Sequence, residues 1–168
     1  RWPAWRATMP HLTNLRIAGL WRDDAGVTVN ETHSHIALLD FETSRQRCAW
    51  PGLYFGGVAF KYKAAVPPDR YGDVARYAAQ GGVDVVTTSG AATGSPPDVD
   101  KVRQMRAAIG RHALAVASGI TPENVERFLP YVDAYLVATG IESSFGTFDP
   151  ARLRALADAI HGWTGSAS

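Results

Sequence analysis

The chain has 168 residues, 46% of them hydrophobic and 20% charged, with a formal net charge of +1. That is the size of one domain with a real core, and the balance excludes wholesale disorder. No basic block or stripe stands out, so nucleic acid is not expected as a partner, and no apolar run approaches the ~20 residues of a membrane-spanning helix.

The first 50 residues read least clearly. "NLRIAGLW" (14–21) predicts a strand and "DDAGVTVN" (23–30) a loop or hairpin. "SHIALLDFETSRQRCAW" (34–50) predicts a helix rather than a strand, because a strand would leave a long charged loop before Gly52. Trp2, Trp5, Trp21 and Trp50 crowd this end, as core packing or, if exposed together, as a subunit contact.

From Gly52 the pattern is regular. "LYFGGVAF" (53–60) is aromatic and β-branched and predicts a strand. "DRYGDVARYAAQGG" (69–82) has Tyr71, Val74, Ala75 and Ala78 at helical spacing and stops on two glycines. "VDVVTTSG" (83–90) predicts a strand, "AATGSPP" (91–97) a loop, and "DVDKVRQMRAAIG" (98–110) a helix capped by Asp98 and Gly110. "ALAVASG" (113–119) and "AYLVATG" (134–140) predict strands. Helices are predicted over 122–132, with Thr121 as cap and Pro122 in first position, and over 149–163, with Pro150 in first position. Strand and helix alternate with short connections, which indicates a parallel sheet covered by helices. The expected division is an N-terminal segment (1–50) that is a βα unit or a cap, four βα units (52–163) and a tail (164–168).

In such folds the chemistry lies at the C-terminal ends of the strands. Two successive ends are small-residue turns, Ala117-Ser118-Gly119-Ile120-Thr121 and Ala138-Thr139-Gly140-Ile141-Glu142. In closed barrels the last two such loops often hold a phosphate on backbone N–H groups. The candidate donors are the N–H groups around Gly119, Ile120, Thr139 and Gly140, with the hydroxyls of Ser118, Thr121 and Thr139. "IESSFG" (141–146) adds Ser143, Ser144 and Gly146, enough for one more short turn. Lys61, at a strand end, can contact a phosphate or carboxylate, form a Schiff base, or extend into solvent. The loop 88–97 offers Ser89, Gly90, Thr93 and Gly94, small groups that can close over a ligand or form a plain turn.

Other candidates read as structural. His33 and His35 lack a third ligand and fit a polar loop or helix start, so no metal and no cofactor is expected. Asp84 and Asp133 each precede a strand and read as turn or cap residues rather than catalytic acids. The lone Cys48 excludes an internal disulfide framework; with no secretory signal read, a reducing, cytoplasmic setting is expected. The chain begins at Arg1 rather than methionine, which predicts a processed chain or part of a longer reading frame.

Residues 52 to 160 resemble the C-terminal half of the BtpA/SgcQ family. The resemblance rests on "VDVVTTSGAATGSPPDVDKVRQMRAAIG", "ALAVASGITPENVERFLPYVDAYLVATGIE", "FDPARLRALADAI" and the preceding "YFGGVAFKYKA". The family's Ser-Gly-x-x-Thr-Gly loop matches Ser89, Gly90, Thr93 and Gly94, and its phosphate turn matches Ala117-Ser118-Gly119 followed by Thr121-Pro122-Glu123-Asn124. Lys61 falls on its Val-Lys-like strand end. The resemblance implies a phosphate-binding (β/α)₈ barrel; one member is linked to photosystem I biogenesis and another lies among sugar-metabolism genes. Members often carry an Asp and a His where this chain has Gly57 and Ala59. A full barrel takes ~250 residues and eight units. The expected fold is therefore an incomplete parallel (β/α) barrel of the phosphate-binding TIM type, with four to five units. The expected protein is a fragment, or a homo-oligomer or partner of the missing barrel half. Two roles follow. One is an enzyme acting on a phosphorylated small molecule, a sugar or ribose phosphate, by isomerase or lyase chemistry, with Lys61 as acid/base. The other is a non-catalytic assembly or regulatory protein that keeps only the scaffold.

Overall fold

In the computed structural model of the protein, the described residues run from 4 to 165. Trp2 and the end of the 164–168 tail lie outside them. Helix α1 (Trp5–Asn14) is followed by strand β1 (Gly19–Arg22), α2 (Glu31–Cys48), β2 (Leu53–Gly57), α3 (Tyr71–Gln80), β3 (Val85–Thr88), α4 (Val99–Ile109), β4 (Ala113–Ala117) and β5 (Ala134–Leu136). A two-stranded hairpin, β6 (Glu142–Ser144) and β7 (Thr147–Phe148), precedes α5 (Pro150–His161).

The five strands β1 to β5 pair in parallel and in chain order, each with its neighbour in sequence. The sheet curls into part of a barrel wall with helices between its strands. The expected fold class is what forms. The order follows from short connections, which leave each new strand beside the last.

The core lies between sheet and helices. Tyr54 of β2 packs at a tilt against Phe41 of α2 (4.4 Å between ring centroids) and edge-on against Trp5 of α1 (5.1 Å). All three are buried, and each such side chain contributes roughly 1.5–3 kcal/mol on burial. Trp50 is also buried, with its indole N–H on the Ile17 carbonyl at 2.8 Å, whereas Trp21 is 44% exposed. The tryptophans are therefore divided between core and surface.

At the N-terminal ends of the strands two similar clamps recur. Asp84, just before β3, accepts the Tyr54 N–H at 2.7 Å and Arg45 of α2 at 2.9 Å. Asp133, just before β5, accepts the Leu114 N–H at 2.8 Å and pairs with Arg106 of α4. Arg106 also donates to the carbonyls of Tyr131 (2.7 Å), Gly110 (2.6 Å) and His112 (2.9 Å). The expected structural role of both aspartates fits this geometry.

Several boundaries differ from expectation: α1 is not among the expected elements, the strand expected over 14–21 runs only Gly19–Arg22, α2 spans Glu31–Cys48, and β3 is confined to Val85–Thr88. β2 ends at Gly57, not Phe60, because Ala59 turns the chain with φ +47°. β4 and β5 stop at Ala117 and Leu136. The helix expected over 122–132 is absent; turns and one 3₁₀ turn (Val125–Arg127) replace it. Asn124 closes the turn that opens this segment: its side chain accepts the Thr121 N–H at 2.9 Å and donates to the Gly119 carbonyl at 2.8 Å. The first of these is the bond that opens a helix in a capping box, yet the segment continues only as turns.

Candidate functional site at the C-terminal strand ends

Lys61 sits beyond the end of β2, on the loop to α3. Its N–H donates to the Ser89 hydroxyl at 2.9 Å, and its Nζ lies 3.3 Å from Thr93 Oγ1. Ser89 is fully buried and donates in turn to the Gly90 carbonyl at 2.9 Å. The Tyr62 hydroxyl accepts the Thr93 N–H at 3.2 Å, and that bond holds its phenol below the usual range. Three of the residues singled out from sequence thus meet in one small network.

The 89–97 loop then reaches the next strand end. Ser118 Oγ donates to the carbonyls of Ala92 (3.1 Å) and Ser95 (3.3 Å). Gly119 has φ +68°, and a Cβ there would overlap the backbone of Ser95 and Pro96. Gly140 needs its missing side chain for the same reason, since a Cβ would overlap the Ile120 carbonyl. A Cβ on Gly94, whose φ is +80°, would lie 3.9 Å from Thr139 Oγ1, so that loop tip also faces the second turn. Lys61, Ser89, Gly90, Thr93, Gly94, Ser118, Gly119, Ile120, Thr139 and Gly140 therefore belong to one continuous set of loops.

Two further features bear on what those loops can hold. The N–H groups of Gly119, Ile120, Thr139 and Gly140 make no hydrogen bond within the described chain. Ser118 has φ +102°, an unfavourable region for a side-chain-bearing residue. Beside Gly140, Arg152 of α5 donates to its carbonyl from Nε (3.2 Å) and Nη2 (3.1 Å) and pairs with Glu123 at 3.0 Å. Arg152 lies within a helix, where a charged residue at that spacing predicts only a solvated face, so no sequence signal singles it out.

A cleft of about 470 Å³ opens between the 59–66 loop and the 89–98 loop. That volume falls in the range of small-molecule sites. Lys101, in the first turn of α4, forms part of its wall and is only 8% exposed. Its Nζ donates to the Ala59 carbonyl at 2.5 Å and the Ser89 carbonyl at 2.9 Å. Burial of the ammonium lowers its pKa from the usual lysine value to about 8. Helical spacing alone marks Lys101 as an ordinary charged position, so periodicity could not single it out.

The remaining candidates lie elsewhere. His33 and His35 are exposed in the first turn of α2, which Asn30 caps by accepting the His33 N–H at 2.9 Å. Among the described residues no group of three or more metal-ligating side chains exists. No described helix is long and apolar enough to cross a membrane.

No family model matches the chain, and no curated protein matches it. The crystal structure of phosphoribosyl anthranilate isomerase from Thermus thermophilus resembles it with a TM-score of 0.59 at 14% identity. The match covers 95% of this chain and 68% of that one. At that identity the likeness speaks for the fold alone, and the fold is an incomplete α/β barrel of the TIM type.

Proposed function

We propose that the chain binds a phosphorylated small metabolite, a sugar or ribose phosphate, at the C-terminal strand ends, as a BtpA/SgcQ-like barrel protein. The observation that carries this reading is the pair of successive turns whose N–H groups at Gly119, Ile120, Thr139 and Gly140 have no acceptor within the described chain. Backbone N–H groups gathered in this way suit a phosphate. Lys61 is the acid/base or electrostatic group, and Ser89 and Thr93 orient the substrate beside it. An isomerase as fold neighbour favours isomerase or lyase chemistry, by analogy of fold. Association with a second copy, or with the rest of a barrel, completes the wall beside β1 and β5.

One observation favours a non-catalytic binding role instead. The hydroxyls of Ser89 and Ser118 both donate to backbone carbonyls of the 89–97 loop. Calorimetric titration with ribose 5-phosphate and related esters, followed by turnover assays, separates the two. The enzyme reading expects turnover that falls by about 10²–10⁴ in Lys61→Ala. Binding with no turnover in any partnered state leaves the scaffold role. No binding of any phosphate ester removes both.

A further inference from the structure

The chain contains only three lysines against 14 arginines, and all three, Lys61, Lys63 and Lys101, line the same cleft. Arginine does the ordinary electrostatic work of this molecule. Every ion pair among the described residues uses an arginine, and none uses a lysine. Of the acidic residues only Asp98 lines the cleft, and its carboxylate already accepts the Asp100 N–H at 2.8 Å as the cap of α4. Three lysines thus line a cleft with one carboxylate, although Lys63 also borders the smaller neighbouring cleft that holds Asp23 and Asp24. The positive end of α4 lies at the same wall, since Asp98 and Lys101 flank its first turn. Lys101 itself is held by two carbonyls, and an ammonium has three N–H donors.

We propose that this lysine cleft is a second anion-binding site, which takes a small oxyanion, phosphate or carboxylate, between the 59–66 and 89–98 loops. Lys101 is its fixed donor. Lys61 and Lys63, on the loop, close over the anion from the other side. The cleft shares Lys61 and Ser89 with the substrate site proposed above, but it does not rest on the glycine turns holding a phosphate. An arginine would supply charge equally well, but only lysine can release a proton near neutral pH once buried. The lowered pKa of Lys101 accords with that choice.

Acylation of the full chain with acetic anhydride, read by peptide mass spectrometry, follows all three lysines at once. Inorganic phosphate and succinate are compared with sodium chloride at equal ionic strength. A bound anion raises the pKa of the amines it touches, so the expected result is a saturable slowing at Lys61 and Lys101 of about tenfold, one pK unit. Saturable slowing by either oxyanion supports the site. Equal rates in chloride, phosphate and succinate overturn it. Thr139→Val removes a hydroxyl of the glycine turns and keeps their N–H groups, so protection should stay in place; loss of protection in that variant assigns the anion to the turns and overturns the lysine site. Lys101→Met should abolish protection at Lys61. Because that variant can misfold, Lys63→Gln on the exposed loop is the second arm and should weaken the protection of Lys61 several-fold. Undiminished protection in Lys63→Gln and in folded Lys101→Met overturns the assignment.

Discussion

The two ends of the sheet are built on different chemistry. At the N-terminal ends of the strands, aspartates and arginines close on one another and on strand N–H groups, so that Arg45–Asp84 and Arg106–Asp133 lock helix to sheet. At the C-terminal ends the loops hold each other mainly through backbone contacts and hydroxyls, and the lysines there have no acidic partner among the described residues. Charge is satisfied internally at one end; at the other Arg152 pairs with Glu123 beside Gly140, but the lysines make no ion pair among the described residues. An end that carries stability and an opposite end that keeps unspent donors is the division of labour expected of a barrel wall.

The contrast can be broken most forcefully at Arg106. It is 4% exposed and serves four acceptors, so Arg106→Met leaves three carbonyls unserved and the exposed Asp133 carboxylate without its partner. Urea unfolding should show a loss of about 3–5 kcal/mol, chiefly from the carbonyls, while anion protection in the lysine cleft persists under native conditions. At the other end, Gly119→Ala should cost about 2–4 kcal/mol, because it adds both a clash with Ser95–Pro96 and a strained φ. Its local signature should be faster proteolysis within 90–97. A smaller unfolding loss with no change in proteolysis would show that the loop packing is looser than described.

The pH response sharpens the comparison next. Lys101 has a folded pKa near 8, lowered by burial, whereas the unfolded chain keeps the ordinary value of 10.5. Between those values the unfolded state binds the extra proton, so stability should rise from pH 8 toward pH 10 by about 2–3 kcal/mol. Tyr54 and Tyr135 act in the opposite sense, since burial raises both phenols, and stability should fall again above pH 10. Unfolding free energies measured across pH 7–11 should show this maximum, and the rising limb should flatten in Lys101→Met. The smallest effect is expected for Asp84→Asn, at about 1–2 kcal/mol, because the amide oxygen can still accept the Tyr54 N–H while the ion pair with the half-buried Arg45 is lost.

Much of this architecture can be read from residues alone, where local signals agree with the final packing. Asp98 and Asp149 precede α4 and α5 and bond their first-turn N–H groups as caps should. α2 forms where a helix was preferred over a strand, because Ser34, Leu38 and Phe41 supply a buried face that fits the sheet. The failure is one of extent. "TPENVERF" has good helix-start chemistry, and Asn124 makes the capping bond to the Thr121 N–H, but beyond it only a 3₁₀ turn and further turns form. At the site, Lys61, Ser89 and Thr93 were identifiable by position at strand ends. Lys101 was hidden because it lies on a helix, where a charged residue at that spacing predicts a solvated face. The count of three lysines, all in one stretch of chain around two loops, was the signal that could have revealed it.

The scarcity of lysine has a practical consequence. A protease specific for lysine can cut only after Lys61, Lys63 and Lys101. The first two lie on a loop and the third within a helix. Cleavage needs local opening of the chain around the scissile bond. One time course with a single enzyme therefore clocks two separate openings: the lifting of the loop after β2, and the unwinding of the first turn of α4.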